Sequence, residues 1–129
     1  HDQEARQKLY VTVGFIAVIA AAIGILLAAV AVSYYNEHLQ PVVTVDGQRL
    51  DEHYAVKQFT SWGFEWTYEG VSPQQLSLAI LYDHLGDQER AIRLSEPFMK
   101  KIVADLDNDW TLRSDEVARA IEEIERTQR

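Results

Sequence analysis

The sequence predicts a mainly α chain: one N-terminal transmembrane helix, then a small helical domain opened by a short β-strand and turn. Three observations predict it. Residues Leu9 to Asn36 form one uncharged run, LYVTVGFIAVIAAAIGILLAAVAVSYYN, bracketed by Lys8 and Glu37. Val42 to Val45 is a β-branched stretch closed by Asp46-Gly47. Beyond residue 70, three segments repeat apolar residues at helical spacing between capping residues.

The uncharged run exceeds the roughly 20 apolar residues that span a bilayer core about 30 Å thick. It lacks the polar stripe of a surface helix. Tyr10 at one end and Tyr34 with Tyr35 at the other fall where aromatic side chains meet headgroups. Arg6 and Lys8 precede the run, and the next Lys or Arg is Arg49. Positive-inside bias therefore predicts a short cytoplasmic tail at 1–8, a single-pass span at 9–36 and an exported domain at 37–129. The expected place is a bacterial cell membrane, with the C-terminal domain periplasmic or extracellular and membrane lipid around the span. No ionisable residue interrupts the run, which argues against an ion or proton pathway. Ala17, Ala20, Gly24, Ala28 and Ala31 recur every three or four positions, a face through which helices pack closely in lipid.

Pro41 ends any helical continuation. The strand at 42–45 then meets Asp46-Gly47, a two-residue hairpin signal, followed by Gln48-Arg49-Leu50. Asp51 is expected to cap a helix starting at Glu52, with Leu50, Tyr54, Phe59 and Trp62 as its rough apolar face. Ser61 to Gly70 carries Trp62, Phe64, Trp66 and Tyr68. Either these aromatics fold back onto a small core or they form an exposed protein-contact surface. Ser72 and Pro73 read as the N-cap and first position of a helix with Leu76, Ala79, Ile80 and His84 on one face, stopped by Gly86. Asp87 caps the next, whose stripe is Ala91, Leu94, Phe98 and Ile102, and which Pro97 should kink or split. The last begins at Ser114, with Asp115 and Glu116 in its first turn and Val117, Ala120, Ile121 and Ile124 facing inward. The strand at 42–45 finds no good partner in this reading, although a lone strand or hairpin is not stable.

Val43-Thr44-Val45-Asp46-Gly47-Gln48-Arg49-Leu50 behind an anchor resembles the opening of SurA-type and PrsA-type periplasmic foldases, whose V-x-V-N/D-G-x-x-I/L strand-turn precedes the helices of a chaperone domain. Thr111 to Val117, continuing to Ile121, resembles their I-x-V-S-D-E-E-V segment. The resemblance covers residues 42–125 and leaves out the aromatic stretch at 61–70. It implies an anchored, exported, foldase- or chaperone-like domain that meets unfolded client proteins. The parvulin isomerase domain of that family has no counterpart in these residues.

A net charge of −8 without clustered Lys and Arg excludes nucleic acid as an expected partner. The chain has no Cys, so disulfides and thiolate metal sites are excluded. Asp105, Asp107, Asp109 and Glu116 fall on acidic positions of an EF-hand loop. Trp110, however, stands where the sharp turn needs glycine, which favours an acidic connection between helices over calcium. The histidines lack metal spacing, and no nucleophile–base motif appears. No cofactor and no catalytic residue is expected. The residues point to action through protein–protein contacts, as a foldase-like domain or as a non-catalytic accessory subunit of a larger membrane complex.

Overall fold

The structure, a computed structural model, describes residues 8–13 and 42–128. The first described segment is a strand. Leu9–Val13 forms β1, with β-branched Val11, Thr12 and Val13 suited to a pleated sheet. Val42–Val45 forms β2 and Gln48–Arg49 forms β3, joined by Asp46 and Gly47, both at positive φ (51° and 81°). That conformation suits a two-residue hairpin turn, and Asp-Gly adopts it readily. Three helices follow: α1 at Val71–Leu85, α2 at Gln88–Lys101 and, after a 3-10 turn at Val103–Asp105 and strand β4 at Thr111–Arg113, α3 at Ser114–Thr127.

The sheet is four-stranded in the order β3-β2-β1-β4, and every neighbouring pair is antiparallel. Tyr10, Val43, Leu50 and Leu112 point from its strands and their margins into the core. Against them lies α1, buried almost continuously from Ser72 to Leu81, as a central helix must be. The amphipathic helices α2 and α3 cover the rest with Ala91, Leu94, Phe98, Val117, Ile121 and Ile124. Gly86 ends α1 at φ 67°, its N–H donating to the Tyr82 carbonyl (2.7 Å). Asp87 Oδ1 then caps α2 by accepting from the Arg90 N–H (3.1 Å).

The expected fold class is corrected here. The domain is α+β, and no helix among the described residues is long and apolar enough to cross a membrane. The first five residues of the expected span are an inner strand of the sheet, hydrogen-bonded on both sides. The single-pass bacterial membrane localisation, with its cytoplasmic tail and exported domain, falls with that helix. A short inner strand of β-branched and aromatic residues contains no charge, so a criterion of length and charge cannot separate it from the start of a span. The small-residue face at Ala17, Ala20, Gly24, Ala28 and Ala31 lies outside the described residues.

Three smaller expectations also change. No helix forms after Asp51; its Oδ1 accepts from the His53 N–H (2.6 Å), and His53 sits at φ 58°, where a helix cannot continue. The fully buried Gln75 satisfies that loop, donating through Nε2 to the Glu52 and Lys57 carbonyls (2.7 and 3.0 Å) and accepting at Oε1 from the Phe59 N–H (2.7 Å). Ser72 does not cap α1, which starts two residues earlier than expected, at Val71 after Gly70; its hydroxyl donates to Thr60 Oγ1 (3.1 Å). Pro97 lies inside an unbroken α2.

Candidate interaction surface

The loop from Ser61 to Gly70 is pinned at several points. Thr60 Oγ1, itself buried, accepts from the Trp62 N–H (3.1 Å), and Tyr54 Oη accepts from the Gly63 N–H (3.0 Å). Gly63 turns the chain at φ 81° and Thr67 does so at φ 78°, an uncommon value for a β-branched residue. The Thr67 N–H donates to the Val103 carbonyl (3.3 Å), tying the loop to the 3-10 turn that follows α2. Trp66 meets Trp110 edge to face, with ring centroids 5.8 Å apart at 79°. Phe64 enters the main core.

These anchors divide the four aromatics. Phe64 is buried and Trp66 half-buried, whereas Trp62 is 74% exposed and Tyr68 44% exposed. Val71, the first residue of α1, joins them at 55%. The Tyr68 ring lies over Gly70, where a Cβ would sit 2.7 Å from Cε2. The Tyr68 hydroxyl donates to Glu65 Oε1 (2.8 Å), and partial desolvation together with that carboxylate pushes its pKa up to about 12. Glu65 and Glu69, both exposed, give the same loop acidic edges. Val71 escaped the sequence reading because Ser72-Pro73 drew the helix start past it.

A second cluster joins β1 to α1. Asp83 Oδ2 accepts from the Tyr10 hydroxyl (2.8 Å) and from Lys8 Nζ (3.0 Å), and Lys8 Nζ also reaches the Asp83 carbonyl (3.3 Å). The Lys8 main chain meets Ser114 in both directions: its carbonyl accepts from the Ser114 N–H (3.1 Å), and its N–H donates to Ser114 Oγ (3.3 Å). Burial and Asp83 hold the Tyr10 hydroxyl protonated, far above the ordinary phenol range. Beside them His84 is half-buried, and burial with the Lys8 charge lowers its pKa. This cluster is a latch: the tyrosine gives its proton to a hydrogen bond, and the carboxylate oxygen is used twice. The sequence had assigned Lys8 a topological role only.

The acidic segment behaves differently from an EF-hand loop. Asp105 ends the 3-10 turn, Asp107 and Asp109 are exposed, and Trp110 is buried. Thr111–Arg113 pairs with β1, and Glu116 Oε1 accepts from the Arg113 N–H (2.9 Å), closing the first turn of α3. Among the described residues no group of three or more His, Cys, Asp or Glu is placed to hold a metal ion.

The class is thus a small α+β domain, three helices against a four-stranded antiparallel sheet, with aromatic side chains presented from one pinned loop. Residues 33–123 match DUF6166, a family of unknown function, and the chain belongs to that family. No curated protein and no solved structure matches it. The family supplies no support for the chaperone and foldase labels expected from two short motifs, and those labels are withdrawn.

Proposed function

We propose that this domain acts by protein–protein contact, docking a fixed partner through Trp62, Tyr68 and Val71. The observation that carries the reading is the exposure of Trp62 at 74% on a loop whose backbone is hydrogen-bonded on both sides of it. A large aromatic side chain held out by a rigid loop loses little entropy on binding, and tryptophan is enriched among the residues that dominate interface energies. A pinned loop suits one partner better than the shifting contacts of a client-binding surface. Glu65 and Glu69 on the loop, in a chain of net charge −8, favour an apolar socket bordered by Lys or Arg.

The test is a photoreactive phenylalanine analogue placed at position 62 and, as control, at the exposed Arg119 on α3. The expected result in the native host is one discrete protein adduct from position 62, lost in Tyr68→Ala and Val71→Asp. Equal adducts from both positions, or none from position 62, would overturn the reading.

A further inference from the structure

We propose, resting on that docking reading, that the partner engaged by Trp62 presents a Lys- and Arg-bearing segment. This segment lies across two adjoining loops, 61–70 and 105–109, with its cations against Glu65, Glu69, Asp105, Asp107 and Asp109. The acidic loop is fastened to the aromatic one at both of its ends. Before it, the Val103 carbonyl accepts from the Thr67 N–H (3.3 Å); after it, Trp110 meets Trp66 with ring centroids 5.8 Å apart. Glu65, Glu69, Asp105 and Asp109 each stand one or two residues from one of those contacts, and Asp107 lies between the last two. All five carboxylates are exposed, as is Trp62. Among the described residues no Lys or Arg pairs with any of the five. By contrast, on the helices Glu89 holds Arg93, Glu123 holds Lys101 and Glu125 holds Arg90.

Charge complementarity selects the occupant. Like charges on adjoining loops add their fields, so an acidic segment, a nucleic acid or an anionic lipid surface is repelled. A neutral segment strips water from carboxylates and gives no cation in return. A divalent metal is the other ligand that neighbouring carboxylates take, but among the described residues no group of three or more is placed to hold one. Lys and Arg side chains answer the field one by one. Each exposed pair adds little affinity, so the acidic loop acts mainly on encounter and on partner choice, while the exposed tryptophan holds the complex once formed.

The probe is a displayed library of random short peptides, selected on the full chain and counter-selected on Trp62→Ala. The recovered peptides are expected to join Lys or Arg to an apolar residue. Their association rate is expected to fall at least ~10-fold in the triple variant Asp105→Asn/Asp107→Asn/Asp109→Asn, and to fall steeply as salt rises. The charge-matched control Glu89→Gln/Glu96→Gln/Glu122→Gln, at exposed helix positions, is expected to stay within about twofold of the parent. The salt series uses the parent chain alone, so it decides the matter even if a variant fails to fold. Trp62-dependent peptides that lack Lys and Arg, or whose binding ignores salt, overturn the cationic partner and leave the docking reading standing. Equal losses in the two triple variants overturn the part given to the 105–109 loop. Recovery of no Trp62-dependent peptide overturns both.

Discussion

Gln75 shows how much one side chain decides. It lies in α1, fully buried, and its amide is used three times to satisfy the backbone of the 51–60 loop. Replacing it with leucine keeps the volume and strands an N–H and two carbonyls, and an unmet buried polar group costs roughly 1–3 kcal/mol. Gln75→Leu is expected to lose about 2 kcal/mol, read as a lower urea midpoint at unchanged slope. His84 gives a pH signature. Its folded pKa lies below the ordinary value near 6.5, so the unfolded chain binds the proton more readily. Stability on this account is complete above about pH 6.5 and falls as pH drops toward the depressed folded value. Thermal melts between pH 7.5 and 5 are expected to show this decline, with Lys8, Asp83 and Arg90 as the charges around the ring, and His84→Gln to reduce it. Both residues were plain in the sequence as letters. Their roles were not, because a buried glutamine and a half-buried histidine are defined by neighbours far along the chain.

At the scale of elements, the helices were the readable part. Apolar spacing in α2 and α3 and the caps at Asp87 and Gly86 are local signals, set by neighbours within a turn or two. Asp87→Ala should cost about 1 kcal/mol through the lost N-cap, measurable by chemical denaturation. Between α2 and α3, Glu125 receives Arg90 (2.8 Å) and Arg93 (3.2 Å), and the hydrogen bond from Arg90 lowers its pKa. A depressed carboxylate stabilises the fold above its unfolded pKa near 4.3 and loses that contribution as pH falls through the folded value. The groups are solvent-facing, so Glu125→Gln should cost under about 1 kcal/mol and flatten the acid limb of the melt. The strands were harder. β4 is three residues long and hidden inside an acidic segment, and β1 merges in the sequence with the uncharged run that follows it. The expected helix after Asp51 failed for a local reason of another kind: an Asx-type bond from Asp51 to His53 competes with helical capping.

The whole molecule depends on β1 filling the middle of the sheet. Val11 pairs with Thr44 on one side and Thr111 on the other. Proline there removes a ladder donor from a central strand, a position that sheets exclude. Val11→Pro is therefore expected to abolish cooperative unfolding, seen as loss of the thermal transition, while Val11→Thr, which keeps the ladder N–H and a β-branched side chain, retains one. The sequence alone determined the hairpin turn at Asp46-Gly47, the starts of α2 and α3 and the concentration of aromatics at 61–70, because each depends on residues close together in the chain. Tertiary structure decided that Leu9–Val13 is a strand, which aromatics face outward and what Lys8 and Tyr10 hold. Those answers depend on Asp83, Ser114, Thr111 and Trp110, roughly 70 to 100 residues from the N-terminal strand or 40 from the loop, and only packing brings such residues within hydrogen-bond or van der Waals range.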